Sequence, residues 1–212
     1  MRIVLGSVAW FATQVALAAT PIDGWYASVF GGYAYVPNNL NTNYGGLYRS
    51  QARYQAGFDA GGSLGFKSNP MRYEGEISYI DAQLKHFNIA GIPQTGVKGY
   101  NHVVLAMANV FYDVQLHNSP IQPFLGLGIG YGWIDAVIRS TGPAGLTAHT
   151  GSNSDFAYQG AAGLTFQFSE NYALNIGYRY VATVRDNTLG HFFQTQLFNV
   201  GAIYRFDGNN YK

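Results

Sequence analysis

Apolar and polar residues alternate along much of this chain with a period of two, the signature of strands that show different faces to two environments. Phe156, Tyr158, Leu164, Phe166 and Phe168 fall on one parity, and Gln159, Thr165 and Gln167 on the other. Tyr172, Leu174, Ile176, Tyr178 and Tyr180 likewise oppose Asn175 and Arg179. Tyr73, Ile77 and Tyr79 oppose Arg72, Glu74, Glu76 and Ser78, and Tyr54, Phe58, Leu64 and Phe66 oppose Gln55, Asp59 and Ser63. One run carries Pro123, Leu125, Leu127, Ile129, Tyr131 and Trp133 on odd positions, with Gly126, Gly128, Gly130 and Gly132 between them.

Extended along the chain, this pattern predicts eight strands: Trp25 to Val36, Tyr54 to Lys67, Met71 to Leu84, Tyr100 to Val114, Gln122 to Ile134, Phe156 to Phe168, Tyr172 to Ala182, and a last one ending at Phe206. Polar connections separate them, alternately long and short. The long ones are predicted at Pro37 to Arg53, Lys85 to Gly99, Asp135 to Asp155 and Thr183 to His191. Short turns are predicted at Ser68-Asn69-Pro70, around His117 to Pro120, and at Ser169-Glu170-Asn171. An even number of strands with long connections at one end and short ones at the other is the plan of an up-and-down transmembrane barrel. Each run also suffices for a tilted crossing, which takes about 9–11 residues.

Which face points inward follows from the aromatics. An apolar interior would crowd a narrow barrel with rings and leave charges around the outside. With the apolar face outward, aromatic residues fall at both strand ends, where a membrane interface belt belongs, and glycine relieves crowding inside. The expected fold class is therefore all-β: an eight-stranded antiparallel up-and-down transmembrane β-barrel.

Composition agrees. Only 11% of residues are charged, against about 25% in soluble domains, while 16% are aromatic and 27 residues are Gly. So few charges would clothe a water-facing surface poorly and suit a lipid-facing one. Mean hydropathy is close to zero, which sets the chain apart from a helical membrane bundle. The formal charge of +1 gives no basis for nucleic-acid binding, and no Cys is present for disulfides, thiol catalysis or Cys-based metal sites. Met1-Arg2 followed by the largely apolar stretch Ile3 to Ala19 reads as a cleaved export signal, with Ala16-Leu17-Ala18 the small-x-small pattern before cleavage after Ala18 or Ala19. The domain plan expected is 1–19 signal peptide and 20–212 barrel, with no appended module.

Candidate chemistry lies in three places. The inward parity gathers Asp59, Glu74 and Glu76 with Arg72, Arg179 and Arg205, a balanced set expected to pair inside the lumen, either as a plug that blocks or gates a small pore or simply to satisfy the interior. The outer connections carry Arg49, Arg53, Lys98, Arg139 and Arg185, candidate contacts for lipopolysaccharide phosphates or a host-surface ligand. Histidines 86, 102, 117, 149 and 191 are scattered without metal-ligand spacing, and the one His-x-Ser, His117-Asn118-Ser119, falls in a predicted short turn. No catalytic residue, metal site or cofactor is expected, and Gly126-Leu127-Gly128-Ile129-Gly130 lacks the following helix that a nucleotide loop requires.

The run Asn199-Val200-Gly201-Ala202-Ile203-Tyr204-Arg205-Phe206 resembles the assembly signal of outer-membrane barrels, which implies that Asn199, Gly201, Tyr204 and Phe206 are recognised by the barrel-insertion machinery. In that family the signal usually ends the chain, whereas here Asp207 to Lys212 follow it. Trp25-Tyr26 to Gly32-Tyr33, Arg72-Tyr73-Glu74-Gly75-Glu76, Asn109-Val110-Phe111-Tyr112-Asp113, Pro123 to Tyr131 and Gly177-Tyr178-Arg179-Tyr180 resemble strands of the small OmpA-like and opacity-type outer-membrane β-barrel superfamily, also called the porin family. The resemblance implies a monomer in the outer membrane, in contact with its lipid and lipopolysaccharide. It further implies a structural or surface-interaction role in envelope integrity or adhesion, with a narrow solute pore as the alternative and lipid A modification as a more distant one.

Overall fold

A computed structural model describes residues 23–36, 39–44, 48–54, 57–89, 92–93, 95–116, 119–142, 145–184 and 194–206, with side chains placed for 23–36, 57–81, 102–116, 119–135, 154–184 and 194–206. The predicted export signal, Arg185 and the residues beyond Phe206 lie outside them. The described strands are β1 (Gly24–Tyr35), β2 (Asn39–Tyr44), β3 (Tyr48–Tyr54), β4 (Gly57–Ser68), β5 (Met71–Ile89), β6 (Ile92–Pro93), β7 (Thr95–Asp113), β8 (Ile121–Gly142), β9 (Gly145–Gln167), β10 (Tyr172–Thr183) and β11 (Gln194–Arg205). Eight of them close a ring, in the order β1-β4-β5-β7-β8-β9-β10-β11 and back to β1, every neighbour antiparallel. Closure follows from the register of first on last strand, Tyr26↔Arg205 through Tyr35↔Gln196, which leaves neither strand with an unpaired edge. The fold class is the one the alternation predicts.

Parity sets the two faces as expected. The outer face has an aliphatic middle (Val29, Leu64, Ile77, Leu125, Leu127, Ile129, Ile176, Val200) between two aromatic belts. Trp25, Phe66, Tyr73, Tyr112, Phe168, Tyr172 and Tyr204 ring the end with the short turns; Tyr33, Phe58, Tyr131, Trp133, Phe156 and Tyr158 ring the other. Inside, glycine in β8 makes room for the neighbouring strand β7. A β-carbon at Gly128 would run into Asn109 Oδ1, and one at Gly130 into the Ala106 carbonyl oxygen.

Two expectations are corrected. Much of what the sequence presents as long loops is strand. The segment Asp135 to Asp155 is the continuation of β8 and β9, whose ladder holds register to Gly142↔Gly145. The segment Pro37 to Arg53 contains the β2–β3 hairpin, and β3 pairs with the far end of β5 through Ser50↔Ile89. Much of the predicted Lys85 to Gly99 loop likewise belongs to β5, β6 and β7. Arg49, Arg53, Lys98 and Arg139 therefore stand in strands rather than loops, with Lys98 directly opposite Arg139. At ~3.4 Å per residue and a tilt near 45°, the 22 residues of β8 rise about 50 Å, well beyond a hydrocarbon core of about 30 Å. A sheet made of these extensions projects past the loop-end belt.

The second correction concerns the interior, which is not uniformly polar. Phe111 and Phe124 point inward near the short-turn end, their ring centroids 5.7 Å apart in an edge-to-face pair. Toward the loop end the lumen is filled by one apolar cluster of Ile80, Val103, Leu105, Met107, Val181 and Leu197, with Ala34 and Ala157 among them and Ile134 against it.

Candidate functional site: the charged lumen

The lumen-facing charges form two clusters at different depths. In the middle of the barrel, Arg179 of β10 reaches across the lumen to carboxylates on the opposite wall. Its Nη2 donates to Asp59 Oδ2 of β4 at 3.0 Å, its Nη1 donates to Glu76 Oε1 of β5, and its Nε donates to Asn199 Oδ1 of β11 at 3.0 Å. Amides complete the shell. Asn199 Nδ2 donates to Asp59 Oδ2 at 2.6 Å, Asn109 Nδ2 to Glu76 Oε2 at 2.8 Å, and Gln159 Nε2 to Asn109 Oδ1 at 2.5 Å. The Arg179 guanidinium also lies 4.4 Å from the centroid of the Phe30 ring. One cation thus ties strands on opposite walls, each of its bonds made to a buried group.

The second cluster lies nearer the short turns. Arg72 Nε donates to Asp113 Oδ1 at 2.8 Å and its Nη1 to Glu74 Oε1 at 3.3 Å, while Lys67 Nζ donates to Asp113 Oδ2 at 2.7 Å. Tyr26 donates its phenol proton to Glu74 Oε1 at 2.5 Å, and the Ser63 hydroxyl donates to Glu74 Oε2 at 2.9 Å. The Arg72 guanidinium packs against both Phe111 and Phe124, its Cζ 4.9 and 5.1 Å from their centroids. Because these groups are buried, they form the kind of satisfied network in which losing one partner costs far more than the pair gains in net stability.

Of the six predicted lumen charges, Asp59, Glu76 and Arg179 meet in the first cluster and Arg72 and Glu74 in the second. Arg205 is also buried and faces the lumen, but its described bond is to the Glu170 carbonyl oxygen, Nη1 donating at 3.4 Å. Lys67 and Asp113 are two lumen charges missing from the predicted set, and both belong to the second cluster. Parity was a sufficient signal for both: Lys67 shares it with Asp59 and Ser63, and Asp113 shares it with Asn109. Their places at strand ends hid it.

The β11 residues of the assembly motif divide by parity. Asn199 and Gly201 face the lumen, Asn199 as a ligand of both Asp59 and Arg179, while Tyr204 and Phe206 lie on the outer face with their rings 5.5 Å apart. A further polar group is exterior. His102 of β7 sits opposite Asp81 of β5 at the loop-end belt; its Nδ1 is 3.2 Å from Asp81 Oδ2 and also meets the Tyr79 hydroxyl, with the Tyr79 ring stacked on the imidazole at 5.6 Å. Nothing in the linear sequence announces this cluster, since cross-strand register creates it. Among the described residues, no group of three or more His, Cys, Asp or Glu could hold a metal ion.

A closed barrel with an aliphatic waist, two aromatic belts and a charge-paired interior defines an integral outer-membrane barrel, in which strands do the crossing. The chain belongs to the outer membrane protein beta-barrel domain family, whose model matches residues 3–206. A curated relative from Gluconacetobacter diazotrophicus, described as an outer membrane protein, is 32% identical over 185 residues. That alignment covers 80% of this chain and 48% of the relative, so the chain spans about half of that protein's length. Among solved structures, Neisserial surface protein A is similar at a TM-score of 0.57 and 18% identity, covering 86% of this chain and 97% of that one. The outer membrane protein OprG from Pseudomonas aeruginosa matches at 0.57 and 13% identity, covering 90% and 100%. A major outer membrane protein from Thermus thermophilus matches at 0.54 and 12%, covering 86% and 99%. At these identities the structures speak for the fold alone.

Proposed function

We propose that this protein is a surface-interaction barrel of the outer membrane, with the sheet that projects beyond the loop-end belt as its working surface. The observation that carries the reading is the length of β5, β7, β8 and β9, each 19 to 23 residues, roughly twice what a tilted crossing takes. Membrane spanning does not require this extension, and the β2–β3 hairpin widens it. Strands hold their residues at fixed spacing, which suits a recognition surface better than loose loops. The filled lumen speaks against general solute diffusion.

Arg49, Arg53, Lys98 and Arg139 all stand in this projecting sheet. The partner class that fits them is an anionic surface bearing phosphate or sulfate groups, whether lipopolysaccharide or a host glycan, since cations attract and steer such partners. The test replaces all four with Gln and reconstitutes the variant beside wild type in vesicles, with heat-modifiable gel migration as the check of folding. Binding of lipopolysaccharide aggregates and adherence of the vesicles to epithelial cells are then compared. Loss of one of these with unchanged folding is expected and names the source of the anion. Unchanged binding in both assays contradicts the reading.

A further inference from the structure

The lumen is divided into layers of opposite character, and the division says where it is closed. Between the Arg72–Glu74 pair and the Arg179–Glu76 pair lies a cavity of about 60 Å³, enough for a few water molecules. Ser28, Asn175 and Asn199 line it together with those four charged residues. Arg72 Nη2 is buried without a protein partner, and Arg72 lines this cavity. Most of the cavity wall is apolar, Phe30, Phe111, Phe124 and Ala161 included, and the charged groups with the unmet Arg72 donor give internal water its polar partners.

Toward the loop end the cavity gives way to the apolar cluster, where Ile80, Leu105 and Leu197 are each fully buried at 0% exposure. Its side chains come from six strands of the ring, and Ile134 of a seventh packs against them, so the layer crosses the whole lumen. The two layers differ in what they ask of a permeating ion. Around the cavity, amides and charged groups offer hydrogen-bond partners to water or an ion. In the apolar layer an ion finds no replacement for its hydration shell.

We propose that this apolar layer, rather than the ion pairs, is the barrier to solute passage through the lumen. The claim is independent of what the projecting sheet binds. It predicts that the barrel can be opened by changing residues that carry no charge. A variant with Leu105→Ser, Met107→Ser and Leu197→Ser wets the layer while leaving the charged clusters intact. A second variant, Glu76→Gln with Arg179→Gln, removes the central ion pair and leaves the apolar layer intact.

Each protein is first shown to be folded by heat-modifiable migration and then recorded in planar bilayers. The expected result is a silent wild type, a silent ion-pair variant and discrete conductance steps from the apolar-layer variant. A conducting ion-pair variant, or a folded apolar-layer variant that stays silent, overturns the proposal. If the triple variant does not fold, the single variant Leu105→Ser is reconstituted in vesicles enclosing a pH-sensitive dye. Proton leak faster than wild type is expected there, and leak equal to wild type overturns the proposal equally.

Discussion

Replacing Arg179 with Met is expected to destabilise the folded barrel by about 3–5 kcal/mol, the cost of leaving buried charge without its partner. The size follows from what remains. Asp59 and Glu76 are 2% and 4% exposed, and among the described ion pairs Arg179 is the cation that pairs with both. Asn199 and Asn109 still donate to them, but an amide does not balance a carboxylate. The measurement is urea-induced unfolding in lipid vesicles, followed by tryptophan fluorescence. A companion variant separates charge imbalance from lost packing. Adding Asp59→Asn and Glu76→Gln to Arg179→Met removes all three charges, and much of the lost stability should return, because a neutral replacement for a buried ionic group is often close to energetically even. A single Arg179→Met variant as stable as wild type would contradict the network drawn here.

The second large effect is on the outer face. Leu127 is 74% exposed near the middle of the crossing part of β8, flanked in register by Val110 and Gly160. On a water-facing surface, Leu127→Arg would be close to neutral. On a lipid-facing one, an Arg at mid-depth costs about 2–4 kcal/mol, falling to about 0–1 kcal/mol near the interfaces. Phe168→Arg supplies the shallow comparison, because Phe168 is similarly exposed but lies in the belt beside a short turn. The expected outcome in the same unfolding assay is a large loss for Leu127→Arg and a small one for Phe168→Arg. Equal, small losses would mean that the face does not meet hydrocarbon.

These two sites also mark what the sequence makes legible. Leu127 and its neighbours announce their side because lipid and lumen enforce a strict period of two within the crossing segments. Beyond the belt that pressure ends. Segments such as Ser140-Thr141-Gly142 and Gly151-Ser152-Asn153 are polar on both parities, so the strand that continues through them carries no alternation to detect. Parity alone puts all six lumen charges on the inner face, and five of them meet in the two clusters. Arg179 could be assigned to the lumen, but not to Asp59 and Glu76, because those partners lie 120 and 103 residues away and only barrel closure brings them together. The apolar layer escaped for a different reason. Val103 and Val104 are adjacent and both apolar, one facing the lumen and one facing lipid, so composition cannot tell the two faces apart there. An interior taken to be polar throughout misses this layer, and it misses Phe111 and Phe124 beside Arg72 as well.

The most direct test of the central claim, a closed barrel whose apolar face requires lipid, is refolding from urea with and without bilayers. The denatured chain, lacking the predicted export segment, is diluted into buffer alone or into buffer with phospholipid vesicles. Circular dichroism and unboiled gel migration then report on each sample. Strand-rich spectra and a band that shifts only after boiling are expected with vesicles, and aggregation without them. A monodisperse, folded, strand-rich protein in lipid-free buffer would contradict the claim.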